Sequence, residues 1–429
     1  MAETTAQTTA ALPRARKLPR AVAFWLVAIA NGLLLFAASA PSPLYVIYQA
    51  EWGFSAAVLT FVFAVYVLFL LAALVLTGAL SDHIGRRPTL LLALAVQLVS
   101  MVVFTQADGV SWLVAARILQ GLATGMASAA ASAALIDLQP ADKPRLGALA
   151  VSVSSSAGMA AGALGSGLLV EYAPAPTQLV YWLLAGLFLT CAGCVAFLPV
   201  TGSPDGRWLH ALRPRLTVPA QARSSFLAVA PCLLALWAFS GLYLSLGPSI
   251  TSSIMGSRSH LIGGLLIAVL TGAAALTSVL TGRWPASRSL LAGTGTLVLG
   301  VIVVLVSLPL ASLPILFAGT LCAGIGFGPA FSGAFKALTA VAPADQRSGL
   351  VAVIYLVCYI GLSLPAIAAG IAVRAAGLTG TTAVYGIAII LLAGTALIAY
   401  PRNEHRPRHE PCTPLSCPGT TAPHHTAAG

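Results

Sequence analysis

Apolar stretches of about 20 residues recur along the whole chain, and that recurrence constrains the fold more than any other feature. About 20 residues is the length a helix needs to cross the roughly 30 Å hydrocarbon core of a bilayer, where backbone polar groups must be paired within the segment. Twelve spans are predicted, at roughly 21–42, 54–80, 88–107, 110–136, 146–171, 177–199, 225–255, 259–281, 289–308, 310–335, 348–373 and 378–400. They leave no room for a separate soluble domain. Only 8% of the 429 residues are charged and 58% are hydrophobic, where roughly a quarter charged is usual, so the surplus apolar surface needs lipid as its solvent. The first span follows a basic tail as a secretory signal does, but Ala38-Ser39-Ala40 runs straight into Pro41 and eleven more spans.

Basic residues set the orientation, because loops rich in Lys and Arg are retained in the cytoplasm. With the amino terminus inside, nineteen of the 22 Lys and Arg fall in cytoplasmic segments, Arg258 and Arg374 fall outside, and Arg117 lies within a span. A multi-pass protein of the inner (plasma) membrane with both termini cytoplasmic is expected. The net charge of +11 then reflects topology and contact with anionic lipid, and gives no reason to invoke a nucleic-acid partner. The tails, 1–20 and 401–429, read as disordered from their composition. His405, His409, Cys412, Cys417, His424 and His425 in the second tail lack any recognised zinc spacing. No cofactor and no metal site are expected.

The chain also repeats itself. Pro140-Ala141-Asp142 returns as Pro343-Ala344-Asp345, an offset of 203, and Gly121, Gly125, Gly158 and Gly167 return at that offset as Gly324, Gly328, Gly361 and Gly370. Leu76-Thr77-Gly78 returns one residue out of step as Leu280-Thr281-Gly282. The fold class expected is therefore an all-α membrane protein of twelve transmembrane helices in two pseudo-symmetric six-helix bundles, 21–200 and 225–400, joined by a cytoplasmic linker at 201–224. Parallel repeats of this kind place a substrate site near mid-bilayer between the halves, an architecture for alternating access.

Between the second and third spans, acid, base and glycine crowd into Gly78-Ala79-Leu80-Ser81-Asp82-His83-Ile84-Gly85-Arg86-Arg87-Pro88. The fourth span carries Arg117-Ile118-Leu119-Gln120-Gly121. With these two motifs the chain resembles a twelve-span member of the major facilitator superfamily. The loop is similar to that family's G-x-L-x-D-x-x-G-R-R signature through Gly78, Leu80, Asp82, Gly85, Arg86 and Arg87, and the fourth span resembles the R-x-x-Q-G motif of its proton-coupled drug exporters. The resemblance implies that Gly78, Asp82, Gly85, Arg86 and Arg87, with Asp137 as the acid at the cytoplasmic end of the fourth span, latch the outward-open conformation. It also implies a coupling role for Arg117, Gln120 and Gly121. The second half offers only Gly282-Arg283-Trp284-Pro285, with no acid, so the latch is expected to be one-sided. The fifth span only partly resembles the family's antiporter pattern, with Ala163 where a proline is typical.

Arg117 is costly on physical grounds alone. A guanidinium at mid-membrane costs at least about 2.5 to 3.5 kcal/mol on insertion scales, so it normally faces a partner or a cavity. No Asp or Glu lies deep in any predicted span, which leaves Gln120, Asn31, backbone carbonyls or an anionic substrate to receive it. Asn31, Tyr66, Gln97, Trp237, Tyr243, Tyr355 and Tyr359 are the polar and aromatic candidates for lining the central cavity, an apolar lining that suits amphipathic molecules better than sugars.

No phosphate loop, G-x-S-x-G elbow or H-E-x-x-H helix is present, so neither ATP-driven pumping nor hydrolysis has support and the chain is not expected to be an enzyme. The leading expectation is a monomeric secondary transporter, a proton-coupled antiporter for efflux of a small amphipathic compound. The rival is an uptake carrier or facilitator for an organic anion, with Arg117 binding the substrate charge. A receptor or scaffold built on the same fold is the remaining class.

Overall fold

The computed structural model describes residues 18–77, 84–143, 146–199, 217–343 and 346–404. Gly78, Leu80 and Asp82 of the loop motif, the linker up to residue 216, and the tails up to residue 17 and from residue 405 lie outside these residues. Among the described residues all regular structure is helical. The spans are Arg20–Ser39 continued by Pro41–Trp52, Ala56–Thr77, Arg86–Thr105, Val110–Leu138, Leu146–Tyr172, Pro176–Val195, Arg223–Ser249 with a π turn at Ile250–Ile254, His260–Leu280, Ala286–Leu310, Leu313–Val341, and a final stretch Arg347–Glu404.

Two boundaries differ from expectation, each for a backbone reason. The first span runs on to Trp52 instead of ending near residue 42. Proline cannot donate a backbone hydrogen bond, so Pro41 and Pro43 interrupt the ladder at Ala40, yet a second helix starts at Pro41 itself, with both prolines in its first turn, where N–H groups have no intrahelical partner to lose. At the other end of the chain the expected gap between spans eleven and twelve shrinks to one residue, Gly377, with φ 68° and ψ 170°. Leu362 and Tyr385 lie about 35 Å apart on a straight helix. Yet the Leu362 carbonyl lies against Gly241 and the Tyr385 hydroxyl donates to the Ala238 carbonyl at 2.9 Å, so the chain must fold back at Gly377. Among the described residues, eleven helical stretches are long and apolar enough to span a membrane, and this hairpin makes the crossings twelve.

Within the first six spans, the second and third pack on the fourth, the first on the fifth and the third on the sixth. Shifting each pair by six gives the pairs of the second set: eighth and ninth on tenth, seventh on eleventh, ninth on twelfth. The repeated glycines explain why the pairs match. A Cβ on Gly121 would strike the Tyr66 carbonyl and one on Gly324 the Leu270 carbonyl; Gly125 and Gly328 meet Leu70 and Ala274 in the same way. Gly158 lies on Gly32 and Gly361 on Leu234. Without large hydrophobic driving forces between helices in lipid, such close backbone approach is the main source of packing energy.

The two sets meet at the end away from Arg86. There Gly264 of the eighth span lies on the Ala163 carbonyl of the fifth, and Gly370 of the eleventh on Thr60 and Ala56 of the second. Among the described residues, two hydrogen bonds join the sets at this end: the His260 backbone N–H donates to Glu171 Oε2 at 2.9 Å, and Arg374 donates to Ser55 Oγ at 3.0 Å. A crevice of about 20 Å³ beside them, lined by Pro43, Val46, Pro248, Arg258 and His260, holds little more than one water. This end is closed.

Candidate functional site

Arg117 is fully buried and surrounded by neutral acceptors. Its Nε donates to the Tyr45 hydroxyl at 2.9 Å, Nη2 donates to the same hydroxyl, and Nη1 donates to the Ala38 carbonyl at 3.1 Å and to Gln120 Oε1 at 2.5 Å. The guanidinium also sits over the rings of Tyr66, Tyr45 and Phe104, at 5.2, 5.5 and 5.9 Å from their centroids. Ring faces carry negative quadrupole density and replace part of the lost hydration. The break in the first span makes this pocket. Pro41 has no N–H for the Ala37 carbonyl, and Gln120 Nε2 takes that carbonyl at 2.9 Å while its other atom receives Arg117. No carboxylate pairs with Arg117 among the described residues. Ala38 and Tyr66 belong to the apolar layer between the two helix sets, so the guanidinium lies one side chain behind that layer.

At the opposite end of the first set, Gly85 takes φ 103°, a backbone region that favours glycine, and starts the third span. Arg86 Nε then reaches Asp137 Oδ2 of the fourth span at 3.2 Å. Arg20 adds a hydrogen bond to the Asp137 carbonyl at 2.7 Å, and Arg87 is half-buried beside Arg86. The pairing of Asp82 with Arg86 falls outside the described residues. The second half has no acid in the matching loop, yet the loop is tied: Lys336 Nζ of the tenth span donates to the Gly282 carbonyl at 2.9 Å and the Trp284 carbonyl at 3.4 Å, and Arg288 stacks on Trp284 at 4.5 Å. The ammonium uses the free carbonyls at a helix end in place of a carboxylate.

Between the halves, Phe63, Tyr66, Val67, Leu70, Ala163, Leu244, Ile267, Leu362 and Ala366 form one apolar cluster with Trp237 and Tyr359 packed on it. Trp237 meets Tyr359 edge-on at 5.3 Å and Phe331 at 5.9 Å, and Tyr355 stacks on Tyr359 one turn away at 6.3 Å. The structure thus brings together four of the expected lining residues, Tyr66, Trp237, Tyr355 and Tyr359. The others are placed differently. Asn31 donates to Ser154 and Ser155, both at 2.9 Å, and ties the first span to the fifth instead of holding Arg117. The Tyr243 hydroxyl pairs with Thr320 at 2.8 Å inside the second set. Gln97 is fully buried, with neither amide atom partnered among the described residues.

Residues 27–364 match the sequence profile described as the Major Facilitator Superfamily. No curated protein matches the chain by sequence. Among solved structures, a bacterial homologue of the human lysosomal transporter Spinster, in an inward-facing and occupied conformation, superposes with TM-score 0.72 at 14% identity, covering 89% of this chain and 97% of its own. Its inward-facing, unoccupied conformation gives 0.70 at 14% identity, covering 92% and 99%. The human organic anion transporter MFSD10 (TETRAN) gives 0.63 at 20% identity, covering 89% and 100%. At such identities the likeness carries the fold alone.

Proposed function

This chain belongs to the Major Facilitator Superfamily, and from that membership we propose that it is a secondary active transporter that exports a small amphipathic organic compound by alternating access, coupled to protons. The observation that supports this best is the contact between the halves: a mainly apolar layer, close-packed through glycine at one end, with an aromatic face and a buried guanidinium adjoining it. Such a layer separates at little cost in broken hydrogen bonds. In this reading the protein works as a monomer in the inner membrane with both termini cytoplasmic, since that orientation puts the basic loops beside anionic lipid. The closed end then faces outward.

Arg117 and Gln120 have the coupling role, with Gly121 seating their span against the second. In inside-out vesicles with an acidic lumen, a compound to which overexpression confers resistance is expected to accumulate several-fold. Accumulation that survives collapse of the gradient by a protonophore would replace export with facilitated passage.

Gly78, Asp82, Gly85, Arg86, Arg87 and Asp137 form the latch of the end that opens inward. The Arg86–Asp137 pair is partly exposed, so it contributes under about 1 kcal/mol to stability, and its value lies in favouring one conformation. Asp137→Asn is expected to slow turnover several-fold with substrate affinity retained; equal losses of both would remove the latch assignment. The rival reading, an organic-anion carrier, draws support from one feature: Arg117 carries a buried charge with no carboxylate beside it among the described residues.

A further inference from the structure

We propose that the aromatic face made by Trp237, Tyr355 and Tyr359 binds a planar aromatic anion, with the Trp237 indole N–H donating to the anion's oxygen. The inference rests on the layer between the halves being the transport path, and it names the substrate class.

Trp237 Nε1 is shielded from solvent and has no acceptor among the described residues. An indole nitrogen is a donor only, so the group that satisfies it must bring an acceptor. A buried N–H left unpaired is costly, and an ionised acceptor relieves that cost most fully. The ring itself is fixed edge-on against Tyr359 and Phe331, with Tyr355 stacked beyond, which offers a flat ligand further aromatic contact. The Tyr355 and Tyr359 hydroxyls make no hydrogen bond to a described residue, and the Tyr359 ring, 5.3 Å from the indole, carries one of them.

Aromatic faces also attract ammonium groups, and the charge balance decides between the two. Among the described residues, the acids Glu51, Asp108, Asp137, Asp142, Glu171 and Glu404 all lie in loops or near span ends. Arg117 is buried, stacks on Tyr66 at 5.2 Å, and Tyr66 packs in the same layer as Trp237 and Tyr359. Among the described residues no carboxylate offsets the Arg117 charge behind this layer. In a medium of low dielectric that charge disfavours a cation and favours an anion by on the order of ten-fold or more in affinity.

The test uses three probes with one ring system, 2-naphthoate, 2-naphthamide and 2-naphthylmethylammonium, in equilibrium dialysis against the full chain in lipid nanodiscs. Naphthoate is expected to bind about ten-fold more tightly than the amide, and the ammonium most weakly. Trp237→Phe keeps the ring and removes the donor: it is expected to weaken naphthoate about ten-fold and the ammonium less than two-fold. Tyr359→Phe, a smaller change, is expected to weaken naphthoate a few-fold in the same sense. Ammonium binding equal to naphthoate, an equal loss for all three probes in Trp237→Phe, or no binding by any of them overturns the proposal. Counterflow of naphthoate in liposomes separates the two readings. Binding without counterflow supports the anion site and removes the transport path, whereas counterflow that prefers the ammonium keeps the path and removes the anion site.

Discussion

Arg117→Lys is expected to abolish gradient-driven transport, while the protein still inserts and stays monodisperse. The guanidinium works as a planar fork: Nε and Nη2 converge on the Tyr45 hydroxyl while Nη1 reaches the Ala38 carbonyl and Gln120 Oε1. Lysine carries its charge on a single nitrogen and has no plane to lay over Tyr66, Tyr45 and Phe104. It can satisfy one side of the pocket or the other. Each buried acceptor left without a donor costs about 1 to 3 kcal/mol, enough to disturb the register of the first span against the fourth. Tyr45→Phe tests the same pocket from its other wall. It keeps the ring under the guanidinium but removes the acceptor of two N–H groups, and is expected to lower stability by about 1.5 to 3 kcal/mol, read as a lower melting temperature in detergent. Arg117→Lys that transported at half the wild-type rate, with Tyr45→Phe melting unchanged, would reduce the pocket to packing.

How this pocket forms shows where the amino-acid sequence is explicit and where it is silent. Span number and the two-fold repeat were legible, because apolar length and the 203-residue offset of Gly121 and Gly125 from Gly324 and Gly328 can be read along the chain, whereas which spans pair through those glycines appears only in the fold. Arg117 and Gln120 were legible for a similar reason, since a charge in hydrocarbon announces itself. Their partner was not. Tyr45 sits past Pro41, where a proline usually ends a span, and only the three-dimensional path shows that the helix resumes and turns the hydroxyl inward. Tyr243 misled in the opposite way, since its identity gives no hint of whether it faces the layer between the halves or Thr320 behind it. By residue type Lys336 is one more of the cytoplasmic positive charges, and its bonds to the Gly282 and Trp284 carbonyls depend on a loop conformation that residue type does not encode. Contacts across the two sets, such as Glu171 with His260, have no sequence signature because the partners lie 89 positions apart and belong to different repeats.

Gly264→Leu is expected to hold the protein open at the end away from Arg86 and to lower transport by at least ten-fold. Gly264 touches the Ala163 carbonyl of the other helix set, and the Gly167 Cα lies 3.4 Å from where its Cβ would be. A side chain there intrudes on the surface where the two sets close, so the strain acts on closure and leaves each six-helix packing intact. Overpacking a tight contact costs about 1 to 3 kcal/mol. A two-state transporter is divided by a gap of a few kcal/mol, and each 1.4 kcal/mol shifts its populations ten-fold, so the substitution is large enough to invert the preference. The measurement is a distance distribution between spin labels at position 172, where Tyr172 is 76% exposed, and position 258 across the interface, in a background without native cysteines. The distribution is expected to move from one short distance to a longer one, with binding of the substrate to the open form preserved. A short distance unchanged by Gly264→Leu, together with undiminished transport, would mean that the contact of the fifth and eighth spans does not open during the cycle. Alternating access about this layer would then have to be abandoned for a path that leaves the layer closed.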